Sequence, residues 1–191
     1  MTRVYFVRHA QSDYRSGSDR ERGLTAEAME DRKAVLDFLR DKRVDAFYCS
    51  PYRRSLDTIR DTAEFFGKPI LTDERFRERE TVPGGNSREL FRKRWADFDW
   101  HEPGGESLRS VQERNTAALT EILEKERDKT LVIGTHGTAL STILNYYDPS
   151  WNCDSFLRII DWMPFVVKLD FEGTRFLSRM EHVHVEKIFN P

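Results

Sequence analysis

The chain has 191 residues, 38% hydrophobic and 34% charged, and 31 Lys and Arg against 33 Asp and Glu leave a formal net charge of -2. That length suits one domain, residues 1–191, with a core of its own. The charge balance provides no basic field for nucleic acid, and no apolar run reaches the ~20 residues of a membrane-spanning helix. The first strand begins almost at once, with no charged leader before an apolar stretch. Cys49 and Cys153 show neither CxxC nor metal-ligand spacing, so reduced thiols are expected. A soluble, cytoplasmic protein with no nucleic-acid or membrane partner is the expectation, and the oligomeric state cannot be read.

Val4-Tyr5-Phe6-Val7 is a strand-forming apolar run that stops abruptly in Arg8-His9-Ala10. An Arg- and Ser-rich loop follows to Gly23. Thr25 then caps a helix predicted to reach about Lys42, with Ala28, Val35 and Leu39 on one face and Arg32 as a blemish in the stripe. Residues 45–49 read as the second strand. Ser50-Pro51 predicts a cap and first position for a helix bearing Tyr52, Leu56, Ile59, Ala63 and Phe66, which Gly67 closes. A short strand is expected over 69–71, then an irregular segment to Pro103 containing a turn at 83–86 and a helix from Ser87 to about Phe98. Gly105-Glu106-Ser107 opens a long helix with Leu108, Val111, Ala118, Leu119, Ile122 and Leu123. Residues 130–134 form the next buried strand, running into Thr135-His136-Gly137 and a helix to about Tyr147. Residues 165–170 and 176–180, joined across Glu172-Gly173, read as a hairpin. The alternation predicts an α/β fold: a three-layer α/β/α sandwich around a mostly parallel sheet, with a C-terminal antiparallel hairpin.

Parallel strands place their carboxyl ends on one edge, where open α/β sheets bind ligands. Strand one delivers Arg8 and His9 there, the second strand leads into a helix start with Arg53 and Arg54, and a later strand ends in His136. Arginine matches phosphate oxygens with a planar fork of donors, and imidazole is a nucleophile near neutral pH. Such a set can hold a phosphoryl group and attack it. Arg15, Arg20 and Arg22 suggest an anionic leaving group. Asp31, Asp57 and Asp61 lack metal-site spacing, so no metal and no cofactor are expected. His182 and His184 read as surface strand residues rather than a metal pair. Trp95, Phe98, Trp100, Trp151 and Trp162 are either core or an apolar wall over the site.

Several motifs, in order along nearly the whole chain, resemble the histidine phosphatase superfamily, the phosphoglycerate mutase-like proteins. Arg8-His9-Ala10 resembles the Arg-His-Gly signature with Ala for Gly. Ser50-Pro51-Tyr52-Arg53-Arg54-Ser55 resembles Ser-Pro-Leu-x-Arg-Ala, which points to Arg54 rather than Arg53. Thr135-His136-Gly137 resembles the second His-Gly element, Gly105-Glu106-Ser107 with Arg114 a common helix start, and 73–78 the segment carrying the acid. The resemblance implies that His9 is the nucleophile, that Arg8 and Arg54 clamp the phosphoryl group, that His136 donates to one of its oxygens and that Glu78 moves the leaving-group proton. Glu74 and Glu80 compete for that last role. Arg15 stands where many relatives carry a phosphate-binding asparagine, and it is expected to bind phosphate. The implied activity is a phosphomonoesterase acting on a phosphorylated small molecule, with a phosphoprotein left open, through a phosphohistidine on His9. A cofactor-dependent phosphoglycerate mutase and a non-catalytic phosphate-binding regulator are the alternatives. The compact stretch between Glu78 and His136 favours hydrolysis. The natural substrate is not legible.

Overall fold

The computed structural model describes residues 1–15 and 17–190. Its strands are β1 (Thr2–Arg8), β2 (Ala46–Cys49), β3 (Ile70–Thr72), β4 (Thr130–Thr135), β5 (Trp162–Glu172) and β6 (Arg175–Glu186). They form one sheet in the order β3-β2-β4-β1-β5-β6. β1, β2, β3 and β4 run parallel, while β5 lies antiparallel to β1 and β6 antiparallel to β5. Successive side chains of β1 alternate faces, and Val4, Tyr5, Phe6 and Val7 are all buried. A strand covered on both faces needs a continuous apolar run, which is what β1 and β4 supply.

Helices provide the two covers: α1 (Ala28–Asp31), α2 (Lys33–Leu39), α3 (Arg53–Phe65), α4 (Arg88–Ala96), α5 (Leu108–Lys125), α6 (Gly137–Tyr147) and α7 (Cys153–Arg158). Val4, Phe6 and Ile133 pack with Leu119 and Ile122 of α5 and Leu140 and Ile143 of α6. Tyr5, Val7 and Val132 pack on the other side with Val35 and Leu39 of α2 and Ile59 and Ala63 of α3. Each such side chain contributes roughly 1.5–3 kcal/mol on burial. The result is the expected three-layer sandwich with a terminal hairpin.

Local departures have local causes. The helix expected from Thr25 begins later, although Thr25 Oγ1 does accept from the Ala28 N–H at 3.1 Å. It divides at Arg32, where the Val35 N–H bonds back to the Arg32 carbonyl at 3.0 Å, a tighter three-residue step. The Arg32 side chain is engaged away from its own helix by Asp61 at 2.8 Å and the Asp57 carbonyl at 2.7 Å. Ser50 does not cap α3, whose first residue is Arg53. It accepts instead from the Tyr52 N–H at 3.2 Å. Gly67 does close α3, at φ 61°. Ser87 and Ser107 cap α4 and α5 through the Leu90 and Ser110 N–H groups. The hairpin is longer than expected at both ends, and α7 is an addition. Cys49 and Cys153 are both free. Among the described residues no helix is long and apolar enough to cross a membrane.

Candidate active site

The β1–β4 ladder continues one step past Arg8, because the His9 N–H donates to the Thr135 carbonyl at 3.1 Å. The Ala10 N–H donates to Thr58 Oγ1 at 2.9 Å, which ties the same turn to α3. His9 is therefore held by both neighbours, with only 6% of its surface exposed. Nδ1 lies 2.6 Å from the Ala10 carbonyl oxygen and donates to it, since that oxygen can only accept. The tautomer leaves Nε2 with its lone pair, and Arg54 Nε donates toward it at 3.3 Å. Burial disfavours the charged ring, and Arg54 and Arg8 repel it, so His9 titrates well below 6.5.

Arg8 is anchored by a 2.5 Å bond from Nη1 to the Ile159 carbonyl, and burial lowers its pKa only to about 10, so it stays a cation. Gly137 permits this placement, because a Cβ there would stand 3.1 Å from the Arg8 guanidinium carbon. Arg54 is 2% exposed and packs over the Tyr52 ring at 5.0 Å. Its neighbour Arg53 points outward and pairs with Asp57. His136 is fully buried behind His9, with ring centroids 5.2 Å apart, and does not line the cavity itself. Ser50 Oγ, which accepts from the Tyr52 N–H, stands 2.7 Å from His136 Nε2. Burial, Arg54 and His9 push His136 well below 6.5 as well.

Glu78 enters the cavity from the segment after β3. Its Oε1 accepts from the Arg79 and Ala139 N–H groups at 2.9 and 3.0 Å, and its Oε2 from the Thr138 N–H at 3.0 Å. Glu78 thereby caps α6, whose own N-cap, His136, makes no side-chain cap. A carboxylate has about four lone-pair sites, so one on Oε2 is left for a proton. Arg114 fixes the segment by donating to the carbonyls of Arg75, Arg77 and Glu78 at 2.7, 2.8 and 3.2 Å while chelating Glu106 at 2.8 and 3.0 Å. Burial opposes ionisation of Glu106, but Arg114 and Arg77 overcome it and hold the pKa at about 2. Neither Glu74, paired with Arg20, nor Glu80 lines the cavity.

The loop arginines sort differently from expectation. Arg15 is 88% exposed in its side chain and pairs with Asp13, away from the cavity. The loop closes on itself through the Ser12–Leu24 bridge and the bond from the Asp13 N–H to the Gly23 carbonyl. Arg22, close to the closure, faces inward and stacks on Tyr14 at 4.2 Å. Arg22, Tyr14 and Asp19 line the cavity, as does Arg79, which is held by Glu102 at 2.7 Å. The apolar wall comes from Phe91, Phe156, Ile160 and Phe189, not from the tryptophans. Phe189 reaches it because Asp161 Oδ1 accepts its N–H at 2.7 Å, a long-range contact with no sequence signal. His182 packs on Phe38 and His184 stacks on Trp162 at 3.8 Å, so each ring has its own aromatic partner. Among the described residues no group of three or more His, Cys, Asp or Glu is placed to hold a metal ion.

The buried imidazoles fix a pH dependence of stability. Below 6.5 an unfolded histidine takes up a proton that folded His9 and His136 refuse, so the unfolded state binds more protons there. The stabilisation is complete above about pH 6.5 and is lost as pH falls. His182, lowered by burial, acts in the same direction. The urea midpoint is expected to be flat above neutrality and to drop between about pH 6.5 and 5. A midpoint that rises on acidification through that window contradicts this assignment.

A neutral histidine with an unprotonated Nε2, faced by buried guanidiniums at the carboxyl edge of an α/β sheet, has the donors and charge that suit a phosphoryl group. The family comparison agrees: residues 4–177 match the model of the histidine phosphatase superfamily (branch 1), and the chain belongs to that superfamily. It is 35% identical over 83 residues, 41% of this chain and 40% of the relative, to "Putative phosphoserine phosphatase 2" of Hydrogenobacter thermophilus. It is 26% identical over 93% of its length and 89% of the relative to "Probable phosphoglycerate mutase GpmB" of Salmonella choleraesuis. Among solved structures, Bacillus stearothermophilus YhfR superposes with a TM-score of 0.75 at 23% identity, covering 93% of this chain and 95% of that one.

Proposed function

We propose that the protein is a metal-independent phosphomonoesterase that hydrolyses a small phosphorylated substrate through a phosphohistidine on His9. The observation that carries this reading is the 2.6 Å bond from His9 Nδ1 to the Ala10 carbonyl, which leaves Nε2 unprotonated and opposite Arg54 Nε. Nε2 attacks phosphorus as the bond to the leaving oxygen breaks. Arg8 and Arg54 take up charge on the non-bridging oxygens. His136 does not line the cavity, and its part is to back the His9 ring, at 5.2 Å between centroids. Glu78 gives its Oε2 proton to the departing oxygen, then removes one from the water that attacks the phosphohistidine and releases phosphate.

The test is release of phosphate from an aryl phosphate after dialysis against a strong chelator, with a parallel assay of 3-phosphoglycerate plus a bisphosphoglycerate. Turnover of the first that survives chelation is expected. Isomerisation without phosphate release would instead establish the mutase, and binding without either reaction the regulator.

Glu78 separates two roles, proton transfer and capping. Glu78→Gln can satisfy Arg79 and Ala139 with its oxygen but turns its NH₂ on the Thr138 N–H, so a capping loss of about 1 kcal/mol in stability accompanies it. Loss of a proton donor should slow phosphoenzyme formation from alkyl phosphates by on the order of 10²-fold or more while sparing that step for aryl phosphates with good leaving groups, and loss of the base should slow phosphohistidine breakdown alike for both. Glu74→Gln and Glu80→Gln should stay near wild type. Equal losses on alkyl and aryl substrates in phosphoenzyme formation, with phosphohistidine breakdown unchanged, would leave Glu78 a cap alone.

A further inference from the structure

Arg54 commits two of its three nitrogens to Asp19. Nη1 donates to the Asp19 carbonyl, and Nη2 stands 3.3 Å from the carboxylate. The third, Nε, points at His9 Nε2. Nε and Nη2 form one edge of the guanidinium fork, the geometry that grips a phosphoryl group through two parallel hydrogen bonds. A phosphoryl group at His9 needs that edge, and the Asp19 carboxylate already stands on half of it. Arg22 Nη2 holds the same carboxylate oxygen at 2.5 Å. One anionic side chain thus sits between two arginines that both line the cavity with Arg8 and His9. Its side chain is 37% exposed and lies outside any helix or strand, so it can yield without disturbing the core.

Resting on the phosphatase reading, we infer that Asp19 is a built-in counter-anion for Arg54, displaced when the phosphoryl group binds and returning as product phosphate leaves. A phosphate dianion and a carboxylate cannot share one guanidinium edge without like-charge repulsion. The exchange makes and breaks only ion pairs. Arg22 keeps the carboxylate paired once it is off Arg54, so no charge is stranded. The device weakens product inhibition: inorganic phosphate must compete with an anion tethered beside its own binding edge.

Asp19→Asn keeps the side-chain shape and the carbonyl bond and removes the charge. Inorganic phosphate is titrated calorimetrically into wild type and variant at constant ionic strength, and its inhibition constant as product is measured in the same buffer. The variant should bind phosphate about tenfold more tightly, the scale of removing one partly screened like charge, with the inhibition constant falling in parallel. Glu21→Gln, which removes one negative charge from the same loop away from Arg54, should leave both constants within about twofold. Equal or weaker phosphate binding by Asp19→Asn overturns the inference, because Asp19 would then only orient Arg54. A tenfold gain in Glu21→Gln overturns it too, since general loop charge would be the cause. Phosphate binding by neither the wild type nor Asp19→Asn overturns the phosphatase reading and this inference together.

Discussion

His9→Ala is expected to abolish phosphate release and the covalent phosphoenzyme together, with kcat falling by on the order of 10⁴-fold or more. Two features of the geometry make the loss this large. Among the described residues no other histidine lines the cavity, and His136 is fully buried behind His9 with Nε2 2.7 Å from Ser50 Oγ, so it cannot substitute as nucleophile. Water could still reach a phosphoryl group clamped by Arg8 and Arg54, but without the pre-set Nε2 lone pair the two-step route closes. Inorganic phosphate should still bind the variant, because the guanidiniums remain and one source of crowding is gone. Steady-state turnover, phosphoenzyme trapping and phosphate titration on the same preparation check the three statements. Substantial residual turnover would remove His9 from the mechanism.

The second large effect belongs to Arg54. Arg54→Ala should lower kcat/KM by on the order of 10²- to 10³-fold, about 3 kcal/mol of transition-state stabilisation, as for other preorganised donors in a water-poor site. Arg53→Ala, one residue earlier, should stay within about 0.5 kcal/mol in stability and close to wild type in activity, since that side chain is 66% exposed and makes an ordinary helix ion pair with Asp57. The contrast is sharp because the two side chains leave α3 in different directions. Arg54 is turned inward over Tyr52 toward His9, and Arg53 outward to solvent. Reversal of the two effects would place the wrong face of α3 at the site.

Much of this arrangement is legible in the sequence, for physical reasons that also mark where legibility stops. β1 and β4 are read easily because a strand buried on both faces must be a continuous apolar run, and the residues that end those runs, Arg8-His9 and His136, arrive on one edge as a matter of topology. Arg54 is separable from Arg53 only through the resemblance of its motif. Glu106 and Arg114 stand out only through the resemblance, and the three carbonyls that Arg114 holds come from a segment about 40 residues earlier and leave no local trace. The break at Arg32 is tertiary in the same way, with its cause on α3. Arg15 and Arg22 look alike in a list of loop arginines. What distinguishes them is their partners, Asp13 for Arg15 and Tyr14 with Asp19 for Arg22, and such contacts carry no pattern in composition or period. The apolar wall is illegible for a related reason, since Phe91, Phe156 and Phe189 meet from three distant segments.

The central claim is a covalent phosphoryl group on His9 Nε2. Wild-type enzyme is mixed with excess aryl phosphate, quenched within milliseconds into alkaline denaturant, digested, and mapped by mass spectrometry. A phosphorylated peptide carrying His9, stable in base, lost in mild acid and absent from His9→Ala, is the predicted result. Rapid turnover with no phosphorylated peptide under the same quench, or a phosphoryl group mapped to another residue, would contradict the account.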